Sequence, residues 1–277
     1  MPVSLTVDPD GVAHLTLDRA SKRNALDRAM VEELRDRVHE LATRDDARVV
    51  IVRGAGGSFC AGADIADWVQ PPHHVAVELS ELGLEAFGAL SALSIPSVAV
   101  IEGGAFGGGL ELALACDIRV ATDTAVLGLP ELGLGNLPSW GGMARLVDVS
   151  GLAVARHLLL TGELITGSRA AQLLLVSSAH DPADLADAVD AVVTRLLAAE
   201  PTAVRLAKQV LSGLESSIAS ESALAGYTAG LDSSRGRKQD FLDRKAAARA
   251  ARTTTTPPPA GPADSVGATA LTGGTTS

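Results

Sequence analysis

The stretch that most constrains this chain lies between Ile95 and Asp117. Val98-Ala99-Val100-Ile101 is a continuous apolar run, the pattern of a parallel strand buried on both faces. Glu102-Gly103-Gly104-Ala105-Phe106-Gly107-Gly108-Gly109 follows it, and Leu110–Cys116 then reads as a buried helix. Such a segment needs an interior on every side. It also contains one charge that has no obvious place there, Glu111. A carboxylate in a buried helix is costly unless it is paired or has work to do.

The flanking sequence supplies that interior. Val3–Val7 and Ala13–Leu17 read as strands, joined by the hairpin chemistry of Asp8-Pro9-Asp10-Gly11. Asp27 is placed to cap a helix over Arg28–Arg44, where Val31, Leu34, Val38 and Leu41 share one face. Val49–Val52 repeats the buried-strand pattern and runs into a second glycine-rich loop, Gly54–Gly62. Val75–Leu93 reads as a helix and Ile118–Ala121 as a strand. This alternation predicts an α/β domain of repeated strand–helix units. His73 and His74 fall in a Pro-rich loop and are expected to be solvated. From Gly141 onward the pattern is almost wholly helical, with amphipathic runs over Asp184–Glu200, Pro201–Ser212 and Glu221–Leu231. The expected division is a core over 1–200, a helical assembly region over 201–245, and a disordered Ala/Thr/Pro/Gly tail over 246–277.

Composition narrows the function. Hydrophobic residues make up 47% of the 277 residues and aromatics only 3%, so the core is built from Ala, Leu, Val and Ile. A formal net charge of −10 argues against a nucleic-acid partner, which requires a basic face. Phosphate on a small ligand is still compatible, since local cations and helix N-termini can hold it. No long uninterrupted apolar run predicts a membrane span. The N-terminal MPVSLTVDPDG lacks the pattern of a signal peptide, so a cytoplasmic location is expected. Cys60 and Cys116 make no disulfide framework, and no Cys/His cluster suggests a metal.

The glycine run Gly103–Gly109 invites a dinucleotide-binding reading, but it lies mid-chain rather than after a first strand. The acidic residue about twenty positions on, Glu131, follows a proline in a loop context. A P-loop lysine is absent, and Gly56-Gly57-Ser58-Phe59-Cys60 misses the nucleophile-elbow pattern. An anion hole fits better. Both glycine loops follow buried strands, and parallel strands would deliver them to one edge, where two free N–H groups can converge on one oxygen. Glu111 reads as half of a structural ion pair, as a carboxylate on a solvent-facing edge, or as a functional group. Glu131, the only charge in Leu127–Leu134, reads either as an exposed loop carboxylate or as its partner in acid–base work.

Together these segments resemble the crotonase (enoyl-CoA hydratase/isomerase) superfamily. Ser58-Phe59-Cys60-Ala61-Gly62-Ala63-Asp64-Ile65 is similar to its first oxyanion loop, and Ile95–Asp117 to its signature. Leu129-Pro130-Glu131 with Gly141-Gly142-Met143-Ala144-Arg145-Leu146 is similar to the segment carrying the second acid. Arg19 and Lys22-Arg23-Asn24-Ala25-Leu26 resemble its early coenzyme A contact. The resemblance covers roughly residues 3 to 245. It implies a spiral of ββα units, a C-terminal helical trimerisation region, and a homotrimer or dimer of trimers. It implies an acyl-CoA thioester substrate and no separate cofactor, since coenzyme A is part of the substrate. The backbone N–H groups of Ala63 and Gly108 would hold the thioester oxygen. Lys22, Arg23, Ala25, Ala61, Asp64 and Ile65 would line the coenzyme A moiety, with Ser139 and Trp140 at the acyl end. Glu131 would give a proton to the α-carbon and Glu111 would orient and activate water, with coupled titrations.

Three departures stand against the family pattern. Pro138-Ser139-Trp140-Gly141-Gly142 replaces the usual Pro-Gly-x-Gly-Gly, and Trp140 is either a reshaper of the acyl pocket or a core or trimer-contact residue. Ala66 stands where hydratases often carry Lys, and Leu173–Val176 replaces a usually Gly-containing turn. Hydration of a trans-2-enoyl-CoA is the favoured reaction. A double-bond isomerase, another lyase or thioester hydrolase, and a non-catalytic coenzyme A-binding scaffold are the alternatives.

Overall fold

The computed structural model describes residues 2–68, 72–212 and 224–254. Two compact units divide the chain at Thr228 and Ala229.

In the first unit, β1 (Val3–Val7) and β2 (Val12–Leu17) form the antiparallel hairpin expected from the Asp-Pro-Asp-Gly turn. Asp8 Oδ1 accepts from the Asp10 and Val12 amides and closes that turn. From β2 the sheet turns parallel through β3 (Val49–Gly54), β4 (Ser97–Ile101), β6 (Ile118–Thr122) and β9 (Ser178–His180), in the order β1-β2-β3-β4-β6-β9. A second sheet, β5-β7-β8, joins Gly104–Phe106, Val126–Gly128 and Ile165–Thr166.

The strand residues explain the layering. Val50 and Val52 point into one apolar cluster, Val49 and Ile51 into another on the opposite face. Successive side chains of a strand alternate faces, so a run with no polar residue must be covered twice. On the first face lie α1 (Arg28–Ala42) and α3 (His73–Ser91), which pack on each other, and α4 (Gly108–Ala115). The second face is covered by α7 (Leu185–Ala198), through Leu185, Val189 and Val193. Asp27 caps α1 as expected, its Oδ1 accepting from the Met30 amide at 2.9 Å. The short α2 (Ile65–Trp68) follows the first glycine loop. After β7 come α5 (Gly142–Thr161) and α6 (Gly167–Gln172).

Several expectations are corrected. His73 and His74 open α3 rather than sitting in a loop, because Pro72 can occupy the entry to a helix. α4 starts two residues before Leu110, where burial on both flanks outweighs the low helix propensity of Gly108 and Gly109. β8 and β9 interrupt the helical C-terminal half; strands of two and three residues carry no readable period. α8 (Pro201–Ser212), assigned by sequence to a separate assembly region, belongs to the first unit. Lys208 anchors it there, donating to Asp117 Oδ2 at 2.7 Å and to the Ile95 carbonyl at 2.9 Å. Residues 224–230 are helical, while the beginning of the expected Glu221–Leu231 helix lies outside the described residues.

The second unit contains α9 (Asp232–Thr254). It carries helix through residues 246–254, which the composition had assigned to a disordered tail; the run of Ala and Arg there favours helix. The rest of that tail lies outside the described residues.

Candidate active site

The parallel strands deliver both glycine loops to the same edge. Cys60 pairs with Ala105 and Leu26 with Ala63 in isolated parallel bridges. The loop after β3 is therefore stitched to β5 on one side and to the 22–26 segment on the other. Leu26 donates to the Gly62 carbonyl at 2.8 Å and Asp64 donates to the Leu26 carbonyl at 2.8 Å. In a parallel bridge this uses the groups on either side of Ala63 and turns its own N–H the other way. Among the described residues, neither the Ala63 nor the Gly108 amide donates to another main-chain carbonyl. A Cβ on Gly62 would lie 3.4 Å from the Gly108 nitrogen, so the two loops touch at the point where these free amides stand. Gly108 is also the first residue of α4, where a helix leaves its N–H groups unpaired and its dipole is positive.

The residues assigned to coenzyme A come together around the same stitch. Ala61 donates to the Arg23 carbonyl at 2.9 Å. Lys22 and Arg23 are exposed beside it. Ile65 stands 62% exposed at the start of α2. Asp64 is occupied: Oδ2 receives Arg19 Nη1 at 2.8 Å and Oδ1 the Ala66 amide at 3.2 Å. The Ala66 amide and the Arg19 guanidinium hold the Asp64 carboxyl below its ordinary range. Arg19 Nη1 also donates to the Ala25 carbonyl at 3.0 Å. Asn24 locks the assembly. It is fully buried, and its Nδ2 donates to the carbonyls of Ala55 and Ser58 while its Oδ1 accepts from the Arg19 amide. Sequence reasoning gave Asn24 no role of its own; the signal was a small amide directly after two cations at a turn, and both Arg23 and Asn24 adopt positive φ, at 51° and 58°.

Glu111 projects from α4 and is only 2% exposed. Its Oε1 accepts from the Trp140 amide at 2.9 Å and the Gly142 amide at 2.8 Å. The Ser139 amide also acts on it. Burial raises its pKa, while the amides of Gly142 and Trp140, the Arg145 charge and the Ser139 amide oppose that rise. An ion-pair role is excluded by contact: no cation touches the carboxylate among the described residues.

Glu131 opens a short 3-10 turn, Glu131–Leu134, after Pro130. Its Oε1 would lie 2.7 Å from a Cβ on Gly107, the residue before the Gly108 amide. Its Oε2 is buried with no hydrogen-bond partner. Burial raises its pKa to about 7, its own amide opposes this, and the Glu111 charge adds to the rise. Each glutamate thus stands within one residue or one hydrogen bond of the glycine turn that carries Gly108, and the Glu111 charge acts on Glu131.

Trp140 is a core residue. Its ring meets Phe87 edge-on, with centroids 5.3 Å apart at 81°, and its Nε1 donates to the Leu79 carbonyl at 3.2 Å. Its amide bonds Glu111 directly, while its indole packs beneath the site against Gly108. Ser139 is exposed next to it. Before α3, residues 69–71 lie outside the described residues.

A mixed sheet, two glycine turns brought to one edge and two glutamates beside them, one acting on the other, define an α/β protein with a candidate acid–base site. The enoyl-CoA hydratase/isomerase family profile matches residues 8–240, and the chain belongs to that family, of crotonase fold. It is 40% identical over 227 residues to the human enoyl-CoA hydratase domain-containing protein 2, mitochondrial, covering 79% of this chain and 77% of that one. It is 30% identical over 240 residues to the short-chain-enoyl-CoA hydratase of Clostridium acetobutylicum, covering 84% and 92%. The crystal structure of an enoyl-CoA hydratase from Bacillus anthracis superposes with a TM-score of 0.83 at 29% identity, covering 88% of this chain and 97% of that one. No helix among the described residues is long and apolar enough to cross a membrane.

Proposed function

We propose that this protein is an enoyl-CoA hydratase, adding water reversibly across the double bond of a trans-2-enoyl-CoA. One observation carries this: a buried and a half-buried carboxylate of unlike environment stand beside the glycine turns that carry a pair of free main-chain amides. Glu111 is surrounded by donors, which favour its charged form, whereas Glu131 has a bare buried oxygen, which favours its protonated form. An acid and a base at one site are what addition of water requires.

In the forward direction the Ala63 and Gly108 amides hold the thioester oxygen. Glu111 takes a proton from water, and the water oxygen bonds to the β-carbon. The double-bond electrons move to the thioester oxygen as enolate. Glu131 then gives its proton to the α-carbon, and the electrons return to form the Cα–H bond. Losing one such amide donor typically costs about 3–4 kcal/mol of barrier. Lys22, Arg23, Ala25, Ala61, Asp64 and Ile65 form the surface for coenzyme A, with Lys22 and Arg23 as its exposed cations. Ser139 and Trp140 border the acyl end through their main chain. No cofactor other than the substrate's own coenzyme A enters this scheme, and assembly as a homotrimer or dimer of trimers is part of the reading.

The test is a product assay. Purified protein is offered short and medium trans-2-enoyl-CoAs and 3-enoyl-CoAs, and products are read by mass. Hydration adds one water to the 2-enoyl substrates. Unchanged mass with a moved double bond would make it an isomerase instead, and no turnover of either would leave a binding role.

A further inference from the structure

Arg145 lies in the first turn of α5 and donates from Nη1 to the Trp140 carbonyl at 2.8 Å. Trp140 is thereby held at both ends, its carbonyl by a guanidinium and its amide by Glu111 at 2.9 Å. Gly141, at φ 92°, makes this possible: a Cβ there would lie 2.5 Å from Arg145 Nη1. The loop that grips Glu111 is therefore tied to a half-buried cation on the helix it precedes.

We propose that Arg145 is a positioning residue: by holding the Trp140 carbonyl it keeps the Trp140 and Gly142 amides on Glu111, and so favours the charged form of Glu111 over that of Glu131. The idea rests on the acid–base pair of the hydratase reading and adds how its asymmetry is maintained. The charged groups around Glu111 are few. α5 brings Arg145 and Asp148, the turn after β7 brings Glu131, and α3 brings Glu78, Glu81 and Glu85, all three exposed. β5 carries no ionisable residue. The Cys116 thiol at the end of α4 is pushed up to about 12 by burial and stays neutral. Arg145 is thus the one cation among the groups acting on Glu111, whereas Glu131 is acted on by Glu111 and by no cation. After each hydration Glu111 holds the proton taken from water and Glu131 is charged. The same bias returns the pair, through exchange with solvent, to its starting state.

The experiment is a carbon-13 NMR titration of protein labelled at the glutamate side-chain carboxyl. Glu111 and Glu131 signals are assigned with Glu111→Gln and Glu131→Gln. Arg145→Gln is expected to raise the Glu111 midpoint by about one pH unit or more, while Arg145→Lys leaves it near wild type. Asp148→Asn, an exposed change, is expected to lower it, and keeps the test decisive if Arg145→Gln does not fold. Hydration assays run in parallel: Arg145→Gln should lower kcat at pH 7 by about tenfold, move the acid limb of the pH profile upward and leave KM nearly unchanged. A Glu111 midpoint unmoved in Arg145→Gln, or moved equally in Arg145→Lys, overturns the proposal. If wild type hydrates no enoyl-CoA, the functional reading fails, and the titration still decides the role of Arg145.

Discussion

The indole of Trp140 fills the space that a side chain on Gly108 would need, and on its other side fills the space beside Gly83 of α3. One ring therefore sets the separation of α3 and α4 and the position of the amide that opens α4. Trp140→Ala keeps every main-chain bond to Glu111 but empties the wedge, and should cost about 3–5 kcal/mol of stability. Gly83→Ala overfills it and should cost about 1–3 kcal/mol. Chemical denaturation measures both; a change below 1 kcal/mol for Trp140→Ala would deny it the role of a core wedge.

Glu111→Gln and Glu131→Gln should each lower kcat for hydration by about 10²–10⁴-fold with KM little changed. Because both act in one proton circuit, the double variant should be barely slower than the worse single one. Steady-state kinetics on crotonyl-CoA decides it, and multiplicative losses would mean the two residues act independently.

Glu131 makes both activity and stability depend on pH. As the proton donor it must be protonated, so kcat/KM for hydration should fall as pH rises through about 7. Its folded pKa is raised from 4.5, so between those values the folded chain binds more protons than the unfolded one. Stability is then lost as pH rises through this window. Glu131→Gln, which cannot ionise, should melt higher than wild type at pH 8 and match it near pH 4. A melting difference independent of pH would contradict the assignment.

Leu174 sits at φ 60° in a turn and is 73% exposed. A branched side chain in the left-handed region costs roughly 1–2 kcal/mol, and its side chain gains little from burial here. Leu174→Gly should therefore stabilise the chain by about 1 kcal/mol or slightly less, after glycine's greater freedom in the unfolded state. A lower melting temperature would show that the exposed leucine has a partner.

The long patterned elements were legible in the sequence because each is a run whose period matches its surroundings. Val49–Val52 and Val98–Ile101 carry the pattern of doubly buried strands, and the apolar flanks of Glu111 announced an unusual carboxylate. Glu131, its proposed partner, stood out for the same reason, a lone charge among apolar and glycine residues. What escaped was tertiary. Gly83 owes its identity to Trp140 across a helix interface, and Arg145 matters through the carbonyl of Trp140, which lies before its helix begins. Asn24 is a polar residue whose partners lie some thirty positions away. Residues 246–254 were misread because alanine-rich composition serves helix and low-complexity tail alike.

Where the thioester lies decides the chemistry of this site, and a crystal structure with acetoacetyl-CoA, which mimics the enolate, tests it most directly. The thioester oxygen is predicted at about 3 Å from both the Ala63 and Gly108 nitrogens. The substrate α-carbon should face Glu131 and the β-carbon Glu111. A ligand whose oxygen contacts neither amide, or whose reacting carbons lie outside the gap between the two glutamates, would contradict it.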